Sequence, residues 1–370
     1  MRLGLVVPGG VDRTGTQRVI PFLLWVIERL VAAGHDVHVF AQRQEPMPGE
    51  WPLLGATVSN AGRRPYRLRM LSDLVHRHRR DPFDVLHAFW AIPAGTVAAG
   101  ARLLLNVPVA LWLPGGDLVS LPDIDYGVRS RLRGRAELRV ALAGADRVIV
   151  PSAYSLAHAR ALGIAAERLP FGVALDRWPI AAPRPRAAGR PARLLHVASL
   201  NAVKDQGTLL RAATRLRARD VPFHLDIVGG DTLGGAVQRS AAELGLRASI
   251  TFHGFVEQEA LRRHMLDADL LLLSSRHETV PLVLHEAAAS GVPTVGTAVG
   301  ELCEWAPDAG VAVAVHDDAA LARAVETLIH DDARRLQLAA AAQARVLAWN
   351  VDATVARMLE LSRELVAARA

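Results

Sequence analysis

The sequence is poor in cysteine, in aromatic residues and in long apolar runs. Its single cysteine, Cys303, cannot form a disulfide within the chain, which excludes a disulfide-stapled secreted scaffold and favours a reducing compartment. Aromatic residues make up 5% of the chain, and few stand among the arginines, which argues against a nucleic-acid surface built on base stacking.

The apolar runs are too short for targeting or for membrane insertion. The first one, residues 3–7, is shorter than the core of a signal peptide. The stretch 19–31 is interrupted by Glu28 and Arg29 and falls short of the ~20 apolar residues that a membrane span needs. We therefore expect a cytoplasmic protein.

Lysine is almost missing: 42 arginines stand beside a single lysine, Lys204. In a composition so biased toward arginine, one lysine indicates a specific task. Its compact ammonium suits a phosphate group whose charge shifts as a bond breaks. The alternative is a chance surface lysine.

Charge is distributed unevenly along the chain. Residues 1–186 carry 24 basic and 15 acidic side chains, a balance of +9, whereas residues 187–370 balance at −3. The first half is therefore expected to meet something anionic. Solvated arginines from an arginine-rich genome are the alternative explanation.

Short apolar runs alternate with stretches of helical spacing over the whole sequence. The runs lie at 3–7, 37–41, 85–89, 107–113, 148–151, 194–198, 225–228, 250–252, 270–273, 294–295 and 311–315. Helical spacing is found between them, for example at 19–33, 208–219 and 321–329. This alternation predicts βαβ units and parallel sheets, hence an α/β fold.

A proline-rich stretch marks a domain boundary. Residues 179–191 carry four prolines and one glycine and are typical of a linker. We predict two Rossmann-like, doubly wound domains, 1–185 and 186–370, which face a central cleft because ligands bind at the carboxyl ends of such strands. A last helix at about 351–367 is long enough to cross back to the first domain.

The segment 274–293 has the pattern of a strand, a loop, a helix and a stop. Pro281 suits the first helical turn, and Gly291 suits the end of the helix. A helix N-terminus of this kind favours an anionic group such as phosphate. Glu278 in the loop and Glu286 in the helix would then serve sugar and ribose hydroxyls; two solvated glutamates beside a core helix fit the same spacing.

Glu278 and Glu286, with seven residues between them and the sequence 287–293 after them, resemble the signature of family-4 retaining glycosyltransferases with the GT-B fold. Further segments resemble that family in the same order, at 34–37, 84–88, 145–152, 171–176, 227–230 and 252–256. Each match is weak alone. Their order and spacing are specific together, and the likeness covers nearly the whole chain.

The resemblance implies a donor site in the C-terminal domain. Glu286 would hold the ribose hydroxyls, Glu278 would contact the donor sugar, and Lys204 would bind the diphosphate. Phe255 and Val256 would flank the base. The full set of implied donor positions is Gly10, Ser199, Lys204, Gly229, Phe255, Val256, Val280, Pro281, Leu282 and Glu286.

Two residues of the first domain are candidates for the acceptor side, His87 from the resemblance and Asp117 from its place in the sequence. His87, at the end of a strand, is grouped with Glu278 and Lys204 as catalytic. Asp117 follows a glycine loop and is placed near the acceptor. The alternatives are a buried structural histidine for His87 and a helix-capping role for Asp117.

Three positions depart from the family pattern. Ser199 stands where the family usually has an arginine that binds the diphosphate. The departure implies either weaker donor binding or a substitute such as Arg276 or another arginine. Phe89 stands where a second histidine is common, which bears on the acceptor-side role of His87. Glu301 replaces the second glycine of a frequent glycine pair, after Gly300.

The predicted activity is transfer of a sugar from a UDP- or GDP-linked donor to a hydroxyl of a glycan, a lipid-linked or a small-molecule acceptor. The resemblance implies retention of the anomeric configuration, no metal and no further cofactor, and a place in glycan or cell-envelope biosynthesis. The alternatives are a nucleotide-sugar epimerase or hydrolase on the same fold, and a degenerate homologue that only binds nucleotide sugar.

Two arginine-rich segments, 63–80 and 129–139, lie in the first half. The first interleaves arginines with an apolar helical pattern, as basic helices on anionic lipid headgroups do. The family often uses lipid-linked acceptors, so a peripheral position at the inner face of the membrane is a hypothesis. Nucleic acid is not an expected partner.

Overall fold

We describe the fold from a computed structural model of the chain, which covers residues 1–187 and 189–369. It divides into two compact units. One comprises Met1–Gly172 together with Val351–Ala370, and the other comprises Val173–Asn350.

The first unit is built on an eight-stranded sheet with the order β3-β4-β2-β1-β5-β6-β7-β8. All neighbouring strands are parallel except the edge pair β3–β4. The strands are β1 Arg2–Val7, β2 Asp36–Ala41, β3 Gly49–Leu53, β4 Ala56–Asn60, β5 Val85–Phe89, β6 Val109–Trp112, β7 Arg147–Val150 and β8 Glu167–Arg168.

Helices cover both faces of this sheet because each one connects two parallel strands. They are α1 Pro21–Ala32, α2 Tyr66–Arg80, α3 Thr96–Leu105, α4 Leu132–Ala143 and α5 Ala153–Ala161. The central strand β5 is buried along its whole length, as expected of a strand with helices on both sides.

The edge hairpin β3–β4 was not predicted from the sequence. Its two-residue turn, Leu54-Gly55, has positive φ at both positions, 52° and 82°. This geometry matches the twist of a two-residue hairpin. Leucine gives no sequence signal for it because side chains other than glycine, asparagine and aspartate rarely adopt positive φ.

The second unit is built on a six-stranded sheet with the order β11-β10-β9-β12-β13-β14, parallel throughout. The strands are β9 Ala192–Val197, β10 Phe223–Val228, β11 Ile250–Gly254, β12 Leu270–Leu273, β13 Thr294–Thr297 and β14 Val311–Val313. The helices are α6 Gln206–Ala218, α7 Ala236–Glu243, α8 Gln258–Asp267, α9 Leu282–Ala289, α10 Leu302–Trp305, α11 Asp318–His330 and α12 Asp332–Ala348.

The proline-rich segment forms no helix or strand over its described residues, and Ala188 lies outside them. Its first part packs within the second unit: the Ala181 amide donates to the Ala289 carbonyl at 2.9 Å, and Gln343 Nε2 donates to the Ala181 carbonyl at 2.8 Å. The chain therefore enters the second unit at Val173, before the prolines.

The last helix, α13 (Val351–Ala367), belongs to the first unit. Arg29 Nε donates to Asp352 at 3.0 Å, and Thr354 Oγ1 donates to the Pro170 carbonyl at 2.9 Å. The predicted fold class, with two doubly wound α/β domains, is confirmed. Within the described part of the chain, no helix has the length and apolar character needed to cross a membrane.

Candidate active site

Lys204 and Glu278 form an ion pair at the carboxyl ends of two neighbouring strands of the second sheet. Lys204 closes a short turn, Ala202–Lys204, after β9, and Glu278 lies in the loop after β12. The Lys204 Nζ–Glu278 Oε1 distance is 2.5 Å, and the two side chains are 24% and 12% exposed. The only lysine of the chain and the first glutamate of the signature are thus in direct contact.

Hydrogen bonds fix the two loops against each other. Ser274 Oγ donates to the Lys204 carbonyl at 2.8 Å, and the Arg276 amide donates to the Val203 carbonyl at 2.8 Å. Ser275 Oγ donates to Glu278 Oε1 at 2.6 Å. Because the backbone as well as the side chains is held, the ion pair is preorganised before any ligand arrives.

The loop after Glu278 leads into the N-terminus of α9. The helix begins at Leu282, so Pro281 is the residue before it and not its first residue. Within residues 1–187 and 189–369, the amides of Val280 and Leu282 have no hydrogen-bond acceptor. Free N–H groups at a helix N-terminus are suited to bind an anionic oxygen.

Glu286 lies on α9 with 5% of its surface exposed. Burial raises the pKa of its carboxyl to about 8, because a charged carboxylate loses its hydration there. In the part of the chain that the structure describes, no side chain or amide donates to this carboxyl. It is therefore a buried acceptor in need of donors, such as the hydroxyls of a ligand.

Gly229 and Phe255 follow β10 and β11. Gly229 has φ +149°, and a Cβ there would lie 1.9 Å from the Ala198 carbonyl oxygen, so only glycine lets the loop after β10 approach the loop after β9. Phe255 exposes 61% of its surface, and Val256 beside it is half-buried. An exposed aromatic face at a strand end suits stacking with a base.

The Ser199 side chain is exposed, and its carbonyl accepts from Gln206 Nε2 at 3.2 Å. Gln206 also lies 3.3 Å from Nε2 of His196, whose Nδ1 lies 2.9 Å from the Leu272 carbonyl. Burial lowers the pKa of His196 to about 4, so the ring is neutral. The hydrogen-bonded contacts of Gln206 and His196 lie next to the turn that carries Lys204. They were not predicted from the sequence, because a histidine inside an apolar strand gives no distinct signal.

Glu301, the departure from the glycine pair, has a partner. Its Oε2 lies 2.5 Å from Nε2 of His285, and the two side chains are 6% and 3% exposed. The His285 ring also contacts Trp305, with ring centroids 5.2 Å apart. His285 immediately precedes Glu286 on α9, and Glu301 immediately precedes α10. This buried pair therefore links α9 to the start of α10. Gly300, just before Glu301, has φ +61° and lies against Glu278 and Thr279.

In the first unit, the structure places His87 in the core, fully buried. Trp112 Nε1 donates to Nδ1 of His87 at 3.1 Å, and Nε2 of His87 lies 3.0 Å from Ser362 Oγ. Burial lowers the pKa of His87 to about 3. Both ring nitrogens are engaged, so this placement favours the structural alternative over contact with an acceptor.

Asp117 is also buried, at 1% exposure. Its Oδ1 accepts from the Ala91 amide at 2.9 Å, and burial raises its pKa to about 6. It therefore holds the turn at Trp90-Ala91 and does not cap the segment that follows it. Asp117 and Trp90 line a cavity of about 580 Å³, and the acceptor-side role of Asp117 stays a prediction.

Gly10 lies in the loop after β1, and its amide donates to Gln44 Oε1 at 2.7 Å. With φ +83°, a Cβ there would lie 2.5 Å from Ile20. The glycine is thus required by local packing. Its predicted donor contact would have to replace the bond to Gln44.

Two protein-family models match the chain. The family described as glycosyl transferases group 1 matches residues 181–345, and the glycosyl transferase 4-like domain matches residues 19–172. The D-inositol 3-phosphate glycosyltransferase of Geodermatophilus obscurus is 30% identical over 327 residues, which cover 79% of this chain and 70% of that protein.

Other relatives match over a shorter range. Glycogen synthase of Mycobacterium tuberculosis is 33% identical over 196 residues, 52% of this chain and 47% of that protein. The D-inositol 3-phosphate glycosyltransferase of Thermomonospora curvata is 35% identical over 181 residues, 45% and 42% of the two chains. The match thus spans less than half the length of these two relatives.

Among solved structures, a sucrose-phosphate synthase from Thermosynechococcus elongatus superposes with a TM-score of 0.81 at 21% identity, over 100% of both chains. The Anabaena protein HepE, solved with UDP and glucose, gives 0.76 at 17% identity, over 98% of this chain and 99% of that one. The fold is GT-B. The chain belongs to the group 1 glycosyltransferases, the family-4-type class that the sequence resembles.

The His285–Glu301 pair predicts a strong energetic coupling. His285→Leu or Glu301→Met alone leaves the other partner buried without its hydrogen bond, and we expect each to lower the free energy of unfolding by about 3 kcal/mol. The double variant should recover most of this loss because two apolar side chains of similar volume replace a buried polar pair. Urea denaturation of the four proteins measures the coupling.

The exposed pair Arg131–Asp125, with side chains 72% and 61% exposed, is the control. Its own double-mutant cycle with alanine should give less than about 1 kcal/mol. A coupling no larger than this between His285 and Glu301 would mean that the buried pair does not stabilise α9.

Proposed function

We propose that this chain is a retaining glycosyltransferase that moves a sugar from a UDP- or GDP-linked donor to an acceptor hydroxyl, without a metal or another cofactor in the reaction. The observation that carries the proposal is the Lys204–Glu278 pair beside the free amides of Val280 and Leu282. One cation and two N–H groups suit a diphosphate, and the neighbouring carboxylate suits sugar hydroxyls.

The proposed chemistry needs no dedicated base. The bond between the anomeric carbon and the β-phosphate oxygen breaks while the acceptor oxygen bonds to that carbon on the same face. The hydroxyl proton passes to the departing phosphate. Lys204 and the amides of Val280 and Leu282 would stabilise the negative charge that grows on this phosphate, so catalysis rests on positioning and electrostatics.

The finer assignments rest on the same residues. Glu286 would accept from both ribose hydroxyls, and Phe255 with Val256 would flank the base. We keep Asp117 as the acceptor-side residue and leave His87 out, since both of its ring nitrogens are engaged. The HepE structure with UDP-glucose is of a protein with the same fold, and it motivates UDP as the first nucleotide to test.

Calorimetry with UDP, GDP and ADP tests the donor site. We expect selective binding of one nucleotide, weakened about 10- to 100-fold by Lys204→Ala or Glu286→Ala, since each removes a hydrogen bond with a charged partner worth about 1.5–3 kcal/mol. Glu243→Gln, at an exposed glutamate of α7, is the matched control and should bind as wild type does.

Folded wild-type protein that binds none of the three nucleotides would favour the degenerate homologue instead. With the conjugated sugar as ligand, turnover in the absence of any acceptor would favour the epimerase or hydrolase. Transfer to an acceptor with inverted configuration would overturn the retaining mechanism.

Glu286 also predicts a pH dependence. Its carboxyl has a pKa of about 8 without ligand, and ribose hydroxyls donate best to the ionised form. Binding should therefore lower this pKa and release a proton, so the dissociation constant should fall about fivefold from pH 7 to pH 8 and level off above about pH 9.

Calorimetry in buffers of different ionisation enthalpy measures the released proton directly. Glu286→Gln keeps the shape of the side chain but does not titrate, so its proton release at pH 7.5 should be smaller than that of wild type. Equal release by the two proteins would show that Glu286 does not ionise on binding.

We propose further that the first unit meets an anionic membrane through α2 and α3. Leu68 and Leu104 are 68% and 59% exposed and line one groove together with Arg79. Most arginines of the two arginine-rich segments, 63–80 and 129–139, form ion pairs or hydrogen bonds within the protein, for example Arg67 with Glu137. Arg79 has no such partner in the described ranges, which leaves it available to lipid headgroups.

Sedimentation with anionic liposomes should show binding that weakens as salt is raised, because lipid headgroups attract the arginines through screened charges. Leu68→Ser with Leu104→Ser should reduce binding. The control is Leu347→Ser, at a leucine of the second unit that is 52% exposed. Absence of binding at low salt, or equal loss in the control, would contradict the membrane proposal.

A further inference from the structure

Three potential metal ligands meet on one face of the second sheet. Asp226 lies on β10, His253 on β11 and His264 on α8. One ligand atom from each lies within 4.8 Å of the other two. Across residues 1–187 and 189–369, this is the one such group of three or more histidine, cysteine or acidic side chains.

The sheet explains how the group forms. Phe223, Leu225 and Ile227 of β10 point into the hydrophobic core, so Asp226 between them points to the opposite face. Parallel pairing sets Asp226 opposite Thr251 of β11, which brings His253 alongside. His264 reaches the same face from α8, and its ring centroid lies 4.4 Å from that of His253.

The distances suit a small divalent ion. His253 Nε2 lies 2.6 Å from Asp226 Oδ1, and the group as a whole fits within 4.8 Å. Two ligand atoms that each lie about 2.1 Å from a tetrahedral zinc are about 3.4 Å apart. This spacing lies between the 2.6 Å contact and the 4.8 Å limit of the group. Small side-chain rotations would therefore bring three ligands to one ion.

The protein supplies only part of the hydrogen bonds of the group. His253 has Asp226 as its partner, but neither ring nitrogen of His264 has a hydrogen-bond partner in the described part of the chain. His224, whose Nε2 is 3.9 Å from Asp226 Oδ1, is already engaged with Thr251 at 2.9 Å. The three ligands are half-buried, so an ion could enter from solvent.

We propose that Asp226, His253 and His264 bind one divalent transition-metal ion of the zinc type. Two imidazoles and one carboxylate favour such ions over magnesium or calcium, which prefer oxygen ligands. Three protein ligands leave a fourth position for water. The ion joins β10, β11 and α8.

The site is structural and not part of the transfer reaction. None of its three ligands contacts Lys204, Glu278 or Glu286. β11 ends at Gly254, and the exposed Phe255 follows it, so the ion would fix the strand end next to this residue. The proposal rests on the ligand geometry and is independent of the proposed glycosyl transfer.

Zinc binding to the full chain, purified without a histidine tag and stripped with a chelator, tests the site by calorimetry. We expect one zinc per chain and no detectable binding of magnesium. His264→Gln should weaken zinc binding by at least about 100-fold, because the loss of even an outer-shell partner costs about 10- to 100-fold. His330→Gln, at an exposed histidine in the same unit, should bind as wild type does.

A second measurement needs no variant. Cobalt added to the stripped wild-type protein should give the intense visible absorption of a four-coordinate site, and zinc should displace it. Zinc binding that His264→Gln and His330→Gln affect equally, or a weak six-coordinate cobalt spectrum, would overturn the proposal.

Discussion

The candidate site depends on the contact between Lys204 and Glu278. These residues lie 74 positions apart in sequence and meet because β9 and β12 are neighbours in a parallel sheet, which brings their carboxyl ends to the same edge. The two side chains are 24% and 12% exposed, so solvent screens their attraction less than that of a surface pair, and backbone hydrogen bonds hold both loops in place. The free amides of Val280 and Leu282 and the carboxyl of Glu286 lie on the chain that follows, so their positions depend on this contact too.

Much of this arrangement is predictable from the sequence, because it depends on apolar runs within single elements and on motifs that follow one another in a fixed order. Continuous apolar runs gave the parallel strands: the run 270–273 is β12, and 37–41 lies within β2. The apolar spacing at 351–367 gave α13 with the same bounds. The lone lysine and the spacing of the two glutamates indicated residues that do meet. Composition and the spacing of apolar residues predict individual strands and helices. The parallel sheet then brings the ends of those strands together.

Features that rest on contacts between distant side chains were not predictable. In the sequence, Glu301 is a loss of glycine without an explanation. In the structure it pairs with His285, and a single sequence does not indicate which residues form such a pair. The sequence predicts His87 at the end of a strand, as a site residue would be, but β5 continues to Phe89, and Trp112 and Ser362 occupy the ring nitrogens of His87. The cluster of Asp226 and two histidines is spread over two strands and a helix, with spacings that match no sequence motif.

The chain leaves the first unit at Gly172 and returns to it only at Val351, so the second unit is an insertion within the first. During synthesis, the ribosome completes the whole inserted domain before α13 emerges. Until then α1 and β5 lack their covering helix, and His87 lacks Ser362. The inserted unit is continuous in sequence, from Val173 to Asn350, so it can fold first, while the unit that contains β1 is the last to be finished.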